Sequence, residues 1–312
     1  MTLLSTLENK LKLPSPTRHL FVSQYSDYQI FIKREDLIDP YISGNKWRKL
    51  KFNLLHYLKS NHDGIVSVGG AFSNHLVALA AACFELRIPV VGIVRGEEFD
   101  KGNPTLNLCE KLGMKVVRVS FDEYASRYDD DFVSRFSTFQ NPYFIAEGGS
   151  NELHLVGCRE ILKELEFDPD FIVLPLGTGG TASALCQFES KVIAISPFKE
   201  GKVKIPFLSK IPFPHQVIFD YALNGYGRYN KGMVQYINSF WEQFQIPLDP
   251  IYNAKGMMAL EDLMKTNFFP RGSKILYLHT GGLQGIAGFN MLHGHRERIT
   301  IPRNIYFPEV DL

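Results

Sequence analysis

The feature that most restricts how this chain can fold is a recurring alternation of short β-branched runs with helix-like runs, several of the former ending in glycines. GIVSVGG (64–70) has the length and Ile/Val content of a buried strand. SNHLVALAAACFEL (73–86) follows, with Leu76, Leu79, Ala80 and Cys83 on one helical face and Ser73 and Asn74 both suited to cap its start. A strand is expected over 90–96, then a helix with Pro104 in its first turn and Gly113 near its end, then a strand over 115–120. The style resumes with strands over 171–177 and 191–196 around a helix over 181–188, and a last strand over 274–282 that runs into glycines. This order predicts an α/β fold with mostly parallel sheets and flanking helices. Residues 120–142, acidic and aromatic with Asp129, Asp130 and Asp131 in a row, read as a polar surface segment close to a domain boundary. Residues 199–232, rich in Pro, Gly and Tyr, read as ordered loop.

Bulk properties exclude several function classes. A chain of 312 residues allows one large domain or two ordinary ones. Hydrophobic residues at 45% and charged residues at 21% are those of a soluble globular protein. A net charge of +1 and the lack of a long basic run give no electrostatic footprint for nucleic acid. Cys83, Cys109, Cys158 and Cys186 include no CxxC pair, so neither a disulfide framework nor a metal site is expected, and a reduced, cytoplasmic compartment fits best. The opening MTLLSTLENKLKLPSP does not read as a signal peptide, and no stretch approaches the roughly 18 apolar residues of a membrane span.

Chemistry concentrates in glycine turns that follow strands: Gly69-Gly70, Gly177-Thr178-Gly179-Gly180-Thr181 and Gly281-Gly282. In parallel sheets, ligands collect beyond the carboxyl ends of the strands, so three such turns suggest one composite site. The 177–181 run reads two ways, as a tight strand–helix turn or as a phosphate cradle of backbone N–H groups at a helix start. It lacks the Gly-Lys-Ser/Thr ending of a P-loop, and the strand after it ends in Ser196-Pro197 rather than the acid that a dinucleotide site needs. Lys46 begins an amphipathic helix with Trp47, Leu50, Leu54, Leu55 and Leu58 on its apolar stripe. A cation there opposes the helix dipole, which favours the neutral amine that condenses with a carbonyl; the competing reading is a solvated lysine, which is how Lys49 and Lys51 read. Ser73 has no G-x-S-x-G setting, and His75 and His279 read equally well as structural histidines. Tyr226 and Tyr252 have no local feature beyond packing and one hydroxyl each.

Taken together, KREDL (33–37), SGNKWRKL (43–50), SVGGAFSNH (67–75), GTGGT (177–181), NGYG (224–227), IYNAKG (251–256) and HTGG (279–282) resemble, in order and spacing, the 1-aminocyclopropane-1-carboxylate deaminase and D-cysteine desulfhydrase family. The resemblance runs from about residue 13 to about residue 290. It implies the fold of the tryptophan synthase β subunit (PLP fold type II), with a smaller α/β domain, 53–145, inserted into a larger one, 1–52 plus 146–312. It implies pyridoxal 5'-phosphate (PLP) as cofactor, carried by Lys46, with Asn74 on its ring hydroxyl and Gly177, Thr178, Gly179, Gly180 and Thr181 on its phosphate. Ser73 then meets the substrate carboxylate, Tyr226 and Tyr252 face the substrate, and a homodimer is the usual assembly.

Two departures from the deaminases bear on the substrate, a small amino acid. They carry glutamate where this chain has Asn253 and leucine where it has Thr280, whereas the desulfhydrases share HTGG; their residue at 253 is a small hydroxyl. An acid at the pyridine nitrogen strengthens the electron sink, so Asn253 or Thr280 implies a weaker one. The expectation is therefore a PLP-dependent lyase that performs β-elimination on D-cysteine or a related amino acid, giving pyruvate and ammonia. The alternatives are the deaminase itself, another PLP lyase or racemase, and a protein that only binds PLP or an amino acid.

Overall fold

In a computed structural model, which describes residues 3–96, 102–202, 205, 207, 209 and 216–308, the chain builds two sheets by starting one, leaving it, and coming back. It forms β1 (Thr17–His19) and β2 (Gln29–Arg34), and the helix Asn45–Leu58 leads away. It then forms β3 (Gly64–Gly70), β4 (Val90–Arg95), β5 (Lys115–Val119) and β6 (Pro142–Ile145), in spatial order β5-β4-β3-β6. On its return it adds β7 (Phe171–Pro175), β8 (Lys191–Ile195), β9 (Gln216–Ile218) and β10 (Lys274–His279), giving the order β1-β2-β10-β7-β8-β9. The β1–β2 pair is antiparallel and the other described pairs are parallel.

Both faces of the inner strands β3, β4, β7 and β10 are covered, which is why these strands read as continuous apolar runs. On β3 and β4, Val66, Val68, Val91 and Ile93 pack on one side with Val119, Tyr124 and Phe132. Ile65, Val90 and Val94 point the other way, onto the helices Asn74–Leu86 and Pro104–Lys111 and the apolar stripe Trp47, Leu50 and Leu54. Leu4 and Leu7 of the first helix join this second cluster.

The segment 120–142 departs from its polar reading. It holds two short helices, Phe121–Ala125 and Phe132–Phe136, whose Tyr124 and Phe132 are buried against the smaller sheet. The Asp residues face solvent between them, and the aromatic residues supply the packing. Strand β6 begins at Pro142, where only four residues of PYFI show; its place is set by pairing with β3 and by the Ser67 hydroxyl donating to the Ile145 carbonyl at 2.7 Å. The helix expected over 181–188 is shorter, Gly180–Leu185.

Strand order reverses twice. β4 and β5 lie to one side of β3, and β6 lies to the other. In the larger sheet, β7, β8 and β9 step outward, and β10 then returns between β2 and β7. Crevices form beyond the carboxyl ends of the strands at such reversals. The segments that leave those ends are Ala71–Asn74 after β3, Glu147–Ser150 after β6, Leu176–Thr181 after β7 and Thr280–Gly282 after β10.

Candidate active site

Helix Asn45–Leu58 ties these segments together, because its first two turns straddle the 177–181 loop. The Asn45 side-chain N–H donates to Thr181 Oγ1 at 3.0 Å. One turn on, Lys49 Nζ donates to Thr178 Oγ1 at 3.1 Å and to Ser150 Oγ at 3.4 Å. Lys49 is buried, and Lys51 is paired with Glu8 at 3.0 Å and Glu160 at 2.8 Å, so neither is the solvated lysine of the sequence reading. Lys49 shares a helix face with Lys46 because the two are three residues apart, a spacing visible in the sequence.

The helix begins at Gly44, at φ +67°, pressed against the Thr280 carbonyl, and Asn45 N–H donates to that same oxygen at 3.3 Å. A side chain at position 44 has no room and the wrong backbone region, so the SGN turn and the HTGG turn specify each other. The second contact of this kind joins the two sheets: Gly282, at φ +82°, lies where a Cβ would come within 2.7 Å of Asn74 Nδ2. Around them, a Cβ at Gly149 would touch Lys49 and His75, and one at Gly177 would lie 3.9 Å from the Tyr252 ring. The Tyr252 and Tyr226 hydroxyls are 3.2 Å apart, and Phe198 stacks on Tyr226 with ring centroids at 5.0 Å. The expected residues Lys46, Ser73, Asn74, Thr178, Thr181, Tyr226, Tyr252 and Thr280 and the three glycine turns are thus brought to one region.

The electrostatics suit a nucleophilic amine. Lys46 has no hydrogen-bond or ion-pair partner among the described residues, and burial, with the nearby charge of Lys49, pushes its amine down to about 7. Burial and the same two lysines hold His75 well below the usual histidine range, so it is neutral; its Nε2 lies 2.9 Å from Ser67 Oγ. Ser73 caps the helix after it, accepting the Leu76 N–H at 3.3 Å, which leaves its O–H to donate elsewhere. Asn74 Oδ1 is buried with no hydrogen-bond partner, a demand for a donor that the protein leaves unmet.

A buried frame supports the site. Arg48 makes forked bonds to Glu35 at 2.9 and 2.9 Å and to Glu164 at 2.7 and 2.8 Å, and Lys33 Nζ meets Glu164 at 2.8 Å. Asp36 pairs with Arg34 at 2.7 Å and with His279 at 3.3 Å, and His279 Nε2 lies 2.7 Å from the Pro247 carbonyl. His279 is thereby a structural residue. Asn253 is fully enclosed, with its amide N–H groups on Asp249 Oδ1 and the Gly281 carbonyl, both at 2.7 Å, and its oxygen on the Thr280 N–H at 3.1 Å. The Thr280 hydroxyl makes no hydrogen bond among the described residues, so of the two positions it is the one with a free polar group. Sequence reasoning missed Asp249, although an Asp before a turn and a helix start is a recognisable anchor for backbone N–H groups. Among the described residues no group of three or more His, Cys, Asp or Glu is placed to hold a metal ion, and no helix is long and apolar enough to cross a membrane.

These features fit PLP: a lysine with a depressed pKa for its aldehyde, Gly177–Thr181 with Lys49 for its phosphate, and the unmatched Asn74 carbonyl for a ring donor. The comparisons agree. A Pyrococcus abyssi protein provisionally named a 1-aminocyclopropane-1-carboxylate deaminase is 28% identical over 291 residues, 85% of this chain and 88% of that protein. A mitochondrial bifunctional D-cysteine desulfhydrase/1-aminocyclopropane-1-carboxylate deaminase of Arabidopsis thaliana is 28% identical over 293 residues, 83% of this chain and 73% of that protein. The solved structure of a 1-aminocyclopropane-1-carboxylate deaminase homologue superposes with a TM-score of 0.76 at 25% identity, covering 94% of this chain and 98% of the other. The fold is accordingly that of the tryptophan-synthase-β-like PLP enzymes. The sequence model of one family, described as pyridoxal-phosphate dependent enzyme, matches residues 11–281, and the chain belongs to that family.

Proposed function

We propose that the chain is a PLP-dependent lyase that removes the β-substituent of a small amino acid, D-cysteine in the first instance, and yields pyruvate and ammonia. The observation that carries this reading is the state of Asn253 and Thr280. The Asn253 amide is consumed by internal hydrogen bonds, and Thr280 presents a hydroxyl, so neither puts an acid at the cofactor ring. A neutral partner there gives a moderate electron sink, which serves when a good leaving group departs as the Cα proton is lost.

When bound, PLP supplies an electron sink that acidifies the Cα–H bond of the amino acid attached to it. In this reading Lys46 holds the cofactor, Asn74 meets its ring hydroxyl, Thr280 its ring nitrogen, and Gly177–Thr181 with Lys49 its phosphate. Ser73 Oγ donates to the substrate carboxylate and so orients the Cα–H bond. Lys46 Nζ takes the Cα proton, a role for which a pKa of about 7 is suited because the amine is largely neutral near that pH. One of the paired hydroxyls of Tyr226 and Tyr252, 3.2 Å apart, protonates the departing group. Residues 53–145 are read as the smaller inserted domain and 1–52 with 146–312 as the larger, with the homodimer of the resemblance as the assembly.

The test is the visible spectrum of protein loaded with PLP, before and after D-cysteine. The reading expects a lysine-bound PLP band that changes as pyruvate and sulfide accumulate, and neither band nor turnover in Lys46→Ala. A band that ignores D-cysteine, with ammonia released from 1-aminocyclopropane-1-carboxylate instead, overturns it in favour of the deaminase activity named for the relatives.

A further inference from the structure

Two guanidinium groups flank the ring of Tyr124, and they differ in what else they touch. Arg127 Cζ lies 4.7 Å from the ring centroid, and its Nε is 3.3 Å from Glu147 Oε2, so its charge is answered. Arg95 Cζ lies 5.5 Å from the same ring and 5.8 Å from the Phe121 ring, and among the described residues it has no carboxylate partner. Aromatic faces orient a guanidinium without neutralising it.

The position of Arg95 is informative. It is the last residue of β4, at the carboxyl end of the sheet, in register with Gly70, the last residue of β3. A Cβ at Gly70 would lie 3.6 Å from Arg95 Nη2, so the guanidinium hangs over the turn that leads into Ser73 and Asn74. Asn103 fastens that turn from the other side, its side-chain N–H donating to the Ala71 carbonyl at 3.0 Å. Tyr226, in the loop after β9, feels the charges of both Arg95 and Glu147, so Arg95 lies within electrostatic range of the tyrosine pair that, in the elimination reading, meets the β-substituent.

We propose that Arg95 determines specificity by receiving a second negative charge, carried on the β-substituent, so that the site favours amino acids whose leaving group is an oxyanion over neutral analogues of similar size. This rests on the elimination reading above. For a β-phosphate ester, the Cα proton passes to Lys46 Nζ, and the Cβ–O bond breaks with its electron pair leaving on inorganic phosphate. The released enamine takes up water to give pyruvate and ammonia. Arg95, planar and held by two rings, pairs with two phosphate oxygens at once.

The experiment compares O-phosphoserine with O-acetylserine, each as both enantiomers, in PLP-loaded wild type, Arg95→Gln and Arg95→Lys, by kcat/KM and by calorimetric Kd. Arg95→Gln should lower kcat/KM and weaken Kd for O-phosphoserine by about 10- to 100-fold, the span of one charge-assisted hydrogen bond, and leave O-acetylserine nearly unchanged. Arg95→Lys should fall between, which separates charge from folding. Equal losses on both compounds would assign Arg95 to the common α-carboxylate or to structure, and no loss on either would remove it from recognition; both overturn the inference. If neither compound is eliminated, the elimination reading fails by itself, and the Kd ratio still decides the role of Arg95.

Discussion

Asp249 holds Asn253 twice through the same oxygen: the backbone N–H of Asn253 donates to Oδ1 at 2.8 Å and its amide at 2.7 Å, while Oδ2 accepts the N–H groups of Ile251 and Tyr252, each at 2.9 Å. One enclosed carboxylate thus sets the backbone that carries Tyr252 and orients the amide that braces the Thr280–Gly281 turn. Burial raises the pKa of Asp249, and these N–H groups oppose that rise.

Replacing Asp249 should therefore reach the site through geometry. Asp249→Asn keeps the shape but turns one acceptor into a donor against N–H groups, and the expected cost is about 1–3 kcal/mol. Chemical denaturation measures it. Turnover should fall with PLP still bound; unchanged stability and turnover would show that the carboxylate is dispensable.

Lys49→Met tests the phosphate end. It removes the cation beside Thr178 and Ser150 while keeping the length of the buried stem. PLP affinity by equilibrium dialysis should fall about 10- to 100-fold, matching a charge-assisted bond of about 1.5–3 kcal/mol. Retained affinity would place the phosphate elsewhere.

Lys46 offers a pH test. Its folded pKa of about 7 lies below the ordinary lysine value of 10.5, so the folded apoprotein carries fewer protons than the unfolded chain between those limits. Stability from this group is present above the unfolded value and is lost as pH falls through about 7. Lys46→Met should accordingly be more stable than wild-type apoprotein near and below pH 7, with the gap closing as pH rises towards 10.5. Acetylation of Lys46, followed by peptide mass spectrometry, should rise through about 7; a midpoint near 10.5 would contradict the depressed value.

The frame beneath the site makes its own prediction. Arg48→Met leaves Glu35, fully buried, with the Ser15 hydroxyl at 2.6 Å as its remaining side-chain partner, and the expected loss is about 3–5 kcal/mol. The combined change Arg48→Met and Glu35→Gln should recover part of it in a denaturation series. No recovery would mean that packing, not charge, sets the loss.

Local pattern carried much of the architecture. GIVSVGG, VVGIVR and KILYLH announce their strands because both faces of each are buried, which leaves an unbroken apolar run in the sequence. PYFI did not announce β6, because four residues after an acidic stretch carry too little period, and long-range pairing with β3 decides that strand. The aromatic residues of 120–142 look like surface in the sequence for a related cause, since the burial of Tyr124 and Phe132 depends on a sheet supplied by distant segments.

By itself the sequence determined the strand–helix alternation, the glycine turns at strand ends and the block order that marks the family, because these are written in residues close together along the chain. Only the tertiary structure decided which charges are answered. Lys49 became a buried partner of Thr178 and Asn253 a saturated brace, and, among the described residues, Thr280 keeps a free hydroxyl and Arg95 a guanidinium without a carboxylate. Burial and pairing depend on neighbours that lie 101 and 129 residues away for Lys49 and 27 and 28 away for Asn253, and the reversals of strand order bring such neighbours together.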